Sequence, residues 1–334
     1  MDRRILLLSG ALAFATASPV LAQDSGFNRS GNILISDQFN NRVIEVGADK
    51  QIVFQFGSND PTLCNPGPGA IIAPNDAERL AGGRTLIPGT GTASCPDNRV
   101  IIVDPDGDIV FQYGQAGVAG SGPNELNVPV FAIQDRNGNV LITDQANNRI
   151  ILVDAGQDIL WSYGPTSGPG ALNSPNSAEI LPNGHILIAD ENNSRVLEIT
   201  RQGTIVSQIS SGLNIVAFAS RLPNGHTLVV DSGNNRVVEF DTNQQIVFQF
   251  VTNRQGNSNP NPNPTGAVRL RSGNTLIADQ LNNRVILVDR FGNMIGQPYG
   301  MTNVVGNGPN QLNAPYSAVV IGQYLGVTAP PGLR

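Results

Sequence analysis

The sequence predicts an all-β fold, a six-bladed β-propeller of four-stranded antiparallel blades, on three observations. A strand-like run ending in a variant of Asp-x-x-Asn-Asn-Arg, followed by a second strand-like run, recurs six times; its arginines Arg42, Arg99, Arg149, Arg195, Arg236 and Arg284 stand 57, 50, 46, 41 and 48 residues apart. A period in the forties with four short strands per unit is that of a blade, because one twisted sheet buries both faces only against its neighbours. A hairpin turn also recurs, as Gly82-Gly83, Asn137-Gly138, Asn183-Gly184, Asn224-Gly225 and Ser272-Gly273. Counting back seven from the residue after each turn gives Ala77, Ala132, Ala178, Ala219 and Ala267, and alanine fits where blades converge on an axis and leave room for little more than a methyl group. Finally, the chain enters in mid-blade and ends on Ala314-Pro315-Tyr316-Ser317-Ala318, which repeats the start of an inner strand such as Ser174-Pro175-Asn176-Ser177-Ala178.

Residues 1–22 read as a secretory leader: Arg3 and Arg4 give a basic start, Ile5 to Ala17 an apolar stretch too short to span a bilayer, and Val20-Leu21-Ala22 a small-residue cleavage site. The expected product is periplasmic or secreted, with the propeller over 23–325, a tail over 326–334 and no membrane span. Blade one opens with its second strand over Asn32 to Asp37, then Asn41 to Val46 and Ile52 to Phe56, and lacks an inner strand. The C-terminal segment is expected to supply it, closing the ring and removing two open edges. Blade four shows the full plan: an inner strand over Ser177 to Leu181, a two-residue turn at Asn183-Gly184 with positive φ values, His185 to Ala189, the loop Asp190 to Asn193, Arg195 to Ile199, a turn at Gln202-Gly203, and Thr204 to Ile209 outermost.

Antiparallel order puts the loops between blades and those between second and third strands on one face, here called upper, and both kinds of hairpin on the lower. Cys64 falls between blades one and two and Cys95 in the second-to-third-strand loop of blade two, both on the upper face. An even cysteine count in an exported chain is read as a Cys64–Cys95 disulfide, with free buried thiols the alternative; two cysteines are too few for a structural zinc site. Three irregular stretches decorate the same face: Ser58 to Ala73, Gly89 to Asp97 in place of the usual motif, and the Asn/Pro-rich Val251 to Pro264.

The between-blade loops repeat Gly122-Pro123-Asn124-Glu125-Leu126-Asn127-x-Pro129, Gly168-Pro169-Gly170-Ala171-Leu172-Asn173-x-Pro175 and Gly308-Pro309-Asn310-Gln311-Leu312-Asn313-x-Pro315. With Ile142-Thr143-Asp144-x-x-Asn147-Asn148-Arg149 and its copies, they resemble the NHL-repeat family. That resemblance covers nearly all of the mature chain and implies a six-bladed propeller, in a family that includes scaffolds, receptors and a few enzymes. Leu222 to Asp231 with Arg236 to Glu239 also resemble repeats of bacterial arylsulfotransferase-type propellers. The NHL-fold peptide-amidating lyases bind zinc through three histidines, and this sequence has two.

Losing the leader removes Asp2, Arg3 and Arg4 and leaves 25 acidic and 18 basic residues, a formal charge of −7. An acidic surface repels phosphate backbones, which argues against a nucleic-acid partner. Lys50 is the only lysine. His185 and His226 occupy a column whose other members are Asn139, Asn274 and Arg84, the pattern of exposed strand starts on the lower face. The Asp-x-x-Asn-Asn-Arg loops recur too often to be a unique site and read as loop clamps.

Function is expected where the repeat breaks. Aligned on the alanines, the upper channel mouth carries Asn75, Val130, Asn176, Ala217, Thr265 and Tyr316, then Asp76, Phe131, Ser177, Phe218, Gly266 and Ser317. Glu78 and Glu179 follow just below the alanines, with Arg79, Arg221 and Arg269 one step further. The expected ligand site is therefore Asn75, Asp76, Glu78, Asn176, Glu179, Arg269 and Tyr316. Oxygens of Asn75, Glu78, Asn176 and Glu179 would suit a hard cation such as Ca2+, as in lactonase-type propellers; Arg221 and Arg269 at similar depth would instead pair with the carboxylates. With no nucleophile, base and orienter set in view, the reading is a monomeric scaffold binding a small molecule or protein on its upper face. The alternative is an enzyme at the channel mouth, a metal-dependent hydrolase or lactonase or an arylsulfotransferase-like transferase.

Overall fold

The computed structural model describes residues 26–323; the expected leader at 1–22, the first and last residues of the 23–325 propeller and the tail at 326–334 lie outside the described residues. Six four-stranded antiparallel sheets form a ring. Blade one takes its inner strand, Pro315–Val320, from the C-terminal end and pairs it with Ile33–Asp37, Ile35 opposite Ala318; Arg42–Val46 and Ile52–Gly57 complete the blade. The inner strands of blades two to six are Glu78–Arg79, Pro129–Gln134, Pro175–Ile180, Val216–Arg221 and Gly266–Arg269. Blade four follows the expected plan closely, with Ile186–Asp190, Arg195–Ile199 and Ile205–Ile209 outside its inner strand.

The first hairpin differs from expectation. Leu181 N donates to His185 O and Gly184 N to Leu181 O, and within the turn only Gly184 has positive φ, at 83°. This is the three-residue loop, a tight turn closed by one left-handed glycine, rather than a two-residue turn with two such residues. Its left-handed place is why glycine holds the second position of every copy; in blade two Gly82 is left-handed as well, at φ 75°.

Hydrophobic cores lie between blades, one per interface, and each holds one member of the alanine ring. Ala178, 1% exposed, packs among Ile133, Leu141 and Ile150 of blade three and Ile186, Ile188 and Leu197 of its own blade. Ala77, Ala132, Ala219, Ala267 and Ala318 do the same at the other five interfaces. Overfilling such a position would cost about 1–3 kcal/mol.

The repeated loop motif is a clamp. Asp144 Oδ2 accepts from Arg149 Nε at 2.6 Å and Asn147 Nδ2 at 2.7 Å, while its Oδ1 takes the backbone N–H of Asn127 in the preceding between-blade loop. Arg149 also reaches the carbonyl of Glu125 in that loop. The second asparagine, Asn148, is left-handed at φ 50° and accepts from Ser174 N of the following loop. Burial raises the pKa of Asp144 against the pull of Asn147, the Asn127 N–H and Arg149. Blade two lacks the motif yet keeps the clamp: Asp97 lies two residues before Arg99, accepts its Nε at 2.6 Å and binds Ile72 N at 2.8 Å. Cys64 and Cys95 are disulfide-bonded, Cα to Cα 4.9 Å, stapling the loop between blades one and two to blade two's own loop.

Candidate functional site

Side chains of an inner strand alternate toward the two neighbouring blades. The alanine and the residue two beyond it face the preceding blade, so Arg79, Arg221 and Arg269 bond Glu45, Glu198 and Glu239 at 2.7, 2.9 and 2.6 Å. The expectation set Arg221 and Arg269 against the channel carboxylates; each is found paired with a third-strand glutamate of the preceding blade. Residues flanking the alanine face the following blade: Glu78 accepts Gln134 N at 3.0 Å and Glu179 accepts Arg221 N at 2.9 Å. Asp76 likewise accepts the N–H of Ala132, and Ser177 Oγ that of Ala219. These acceptors satisfy inner-edge amides that have no strand partner on the channel side.

A cavity of about 90 Å3 occupies the axis. A single buried water needs only about 10–15 Å3 of such space, so there is room for several waters or a ligand of a few heavy atoms. Asp76 and Glu78 of blade two line the cavity, as do Phe131 of blade three and Phe218 of blade five, ring centroids 5.8 Å apart. Ile133, Val268 and Val319 add apolar wall, and Ser220 and Arg269 lie at the lower end. Burial pushes Asp76 up to about 6 against hydrogen bonds from Ser317, Ala77 and Ala132. It pushes Glu78 well above the carboxylate range against the Gln134 N–H, with the Asp76 charge adding to the rise. Both carboxyls are thus raised by burial, and the charge on Asp76 adds to the rise at Glu78.

The upper mouth is crossed by a chain of hydrogen bonds. Gln280 Nε2 donates to Gln38 Oε1, Gln38 Nε2 to Asn75 Oδ1, and Asn75 meets Tyr316. Asn176 Nδ2 donates to Tyr316 OH at 2.7 Å and to Glu191 Oε2 at 2.9 Å, and Gln145 Nε2 also reaches Glu191. Burial raises the pKa of Tyr316, and the nearby Glu191 raises it further. Asn176 is 2% exposed and its Oδ1 has no hydrogen-bond partner.

Of the expected ligand residues, Asn75, Asp76, Glu78, Asn176, Arg269 and Tyr316 line this cavity. Glu179 does not: the Phe131 and Phe218 rings, from blades three and five, meet in front of blade four, and Glu179 turns to blade five's backbone. The four residues considered for Ca2+ are thus split between the mouth, the cavity wall and the far side of the ring pair. Among the described residues no group of three or more His, Cys, Asp or Glu is placed to hold a metal. Gln38, Gln145, Glu191 and Gln280 went unread because each follows the aspartate of a repeated motif; their signal was the polar residue in that variable place. His185 and His226 meet Glu198 and Glu239 of their own blades, the same carboxylates that Arg221 and Arg269 reach from the following blade, so these two strand starts also support a cross-blade pair.

No family model and no curated protein matches the chain. Solved structures share the six-bladed fold. A protein of unknown function from Bacteroides caccae superposes at TM-score 0.61 and 14% identity, over 87% of this chain and 98% of that one. A streptogramin B lyase does so at TM-score 0.58 and 14% identity, over 87% of each. A catalytically inactive histidine-to-alanine variant of virginiamycin B lyase from Staphylococcus aureus, with quinupristin, does so at TM-score 0.55 and 13% identity, over 87% of this chain and 89% of that one. Identities this low carry the fold alone, and the NHL-repeat likeness rests on the sequence motifs.

Proposed function

We propose that this chain is an exported propeller that binds a small ligand in its central channel, beneath the hydrogen-bonded mouth. The observation that carries this reading is the axial cavity, where carboxyl and amide groups from several blades converge on a space otherwise walled by apolar side chains, the common form of a ligand site. Export is supported by the leader read over residues 1–22 and by the disulfide. A thermal-shift screen of small polar compounds tests the reading, with Val268→Phe as the cavity-filling control. At least one compound should raise the melting temperature of the native chain and leave the filled variant unmoved; equal shifts in both would place binding elsewhere.

A second reading, an enzyme at the same place, is favoured by one observation: Asp76 and Glu78 stand side by side with both pKa values raised by burial, as in acid–base pairs. The lyase names among the structural neighbours agree with it only at the level of fold. A histidine-based site has no support here, since both histidines lie away from the cavity, paired with Glu198 and Glu239 of their own blades.

A further inference from the structure

The groups facing the cavity have a chemical bias. Asp76 and Glu78 are acceptors whose bonds come from backbone and hydroxyl groups, and neither is ion-paired. Asn176 Oδ1 is a third acceptor, buried and without any partner, in a side chain whose Nδ2 is already used twice. The one guanidinium in the wall, Arg269, is engaged by Glu239 and the carbonyl of Gly273 and lies over Phe248. Two aromatic rings, whose faces attract cations, line the same cavity, Phe131 from blade three and Phe218 from blade five. The wall thus combines carboxyl and amide acceptors with two aromatic rings and aliphatic surface.

We infer that the cavity binds a small organic ammonium ion, its charged nitrogen between Asp76, Glu78 and the Phe131–Phe218 pair and its alkyl part against Val268 and Val319. A hard metal ion fits less well. Ca2+ takes six to eight oxygens, whereas much of this wall is carbon and the cavity, at about 90 Å3, exceeds what one ion fills. The inference rests on the binding reading above and adds the ligand class.

Isothermal titration of the mature chain separates the two, using n-butylammonium, n-butanol, butyrate and CaCl2 as probes. The expected result is binding of n-butylammonium with n-butanol and butyrate weaker by at least about tenfold, a difference of about 1.4 kcal/mol. Asp76→Asn and Glu78→Gln, which keep an oxygen for the backbone N–H groups, should each weaken n-butylammonium by at least about tenfold, with circular-dichroism melts reporting that the blades remain folded. Phe131→Leu should weaken it while sparing n-butanol. Equal or tighter binding of n-butanol or butyrate, lost in Val268→Phe, would overturn the cation and keep the cavity. Calcium that binds, displaces n-butylammonium and is lost in Glu78→Gln would replace the organic ion by a metal. Probe binding that survives Val268→Phe, or no binding by any probe, would overturn both readings.

Discussion

Asp76 is a carboxyl that costs stability. Its ordinary pKa is 3.8 and burial lifts it to about 6 in the folded chain, so between these values the folded state keeps a proton that the unfolded state has released. Below 3.8 both states are protonated and the group contributes nothing; above about 6 the native state carries the full penalty, on the order of 3 kcal/mol. Asp76→Asn should therefore stabilise the protein at pH 7 by up to about 3 kcal/mol and leave it unchanged near pH 3.5. Urea melts at the two pH values decide this, and an equal effect at both would remove desolvation as the cause. Such a cost, with no arginine to offset it, is common at binding sites. The cavity wall was legible because the alanine ring fixes a period-two register, which placed Asn75, Asp76, Glu78, Asn176, Arg269 and Tyr316 at successive depths along one channel. The exclusion of Glu179 was not, since it depends on two rings from non-adjacent blades meeting across a third. The arginine partners could have been read. Arg79, Arg221 and Arg269 follow blades whose third strands hold Glu45, Glu198 and Glu239, whereas Gln134, Ile180 and Val320 follow Ile102, Leu152 and Leu287.

At the scale of elements, each loop clamp depends on its depth. Arg284 and Asp279 are 2% and 0% exposed, whereas Arg236 is 19% exposed beside Asp231. Removing one partner of a fully buried pair strands the other charge, so Arg284→Ala should cost about 3–5 kcal/mol. Arg236→Ala should cost less, because water can reach what it leaves. Denaturant melts of both variants give the comparison; equal losses would mean that the clamps act through backbone contacts rather than charge. The clamp motif was legible as a recurrence, but not its reach: the left-handed residue before the arginine, an asparagine or in blade four Ser194, ties its loop to the next between-blade loop, a link of 26 residues from Asn148 to Ser174. Blade two was misleading for the opposite reason, since Asp97 restores the clamp from the third-strand side where the motif had seemed lost. The disulfide sits beside this rebuilt loop and closes a separation of 31 residues. Replacing both cysteines by serine should cost up to about 3–4 kcal/mol in the chain-entropy view. The double variant and the reduced native protein should then melt alike, and a melt unchanged by either treatment would assign the staple no stabilising role.

At the scale of the whole molecule, a ring of blades has no end only if its last strand returns to its first sheet. Here the return is made by Pro315–Val320, whose Ala318 and Val320 lie with Ile35, Ile44 and Tyr299 in the core between blades six and one. The same segment carries Tyr316 in the mouth chain and Ser317 and Val319 in the cavity wall, and Asn313 N binds Asp37 of the blade-one clamp. Ring closure and the candidate site are thus made by one piece of chain. Deleting residues 313–334 should leave Ile33–Asp37 as an open edge, lower the melting temperature sharply, expose strands that pair between molecules, and abolish ligand binding together with stability. Deleting only 330–334 should do none of these. Thermal melts and size-exclusion chromatography of the two truncations provide the measurement. A longer truncation as stable and monomeric as the intact chain would mean that the sixth interface contributes nothing to the fold, which the nearest-neighbour energetics of repeat proteins forbid for a ring stabilised at every blade contact.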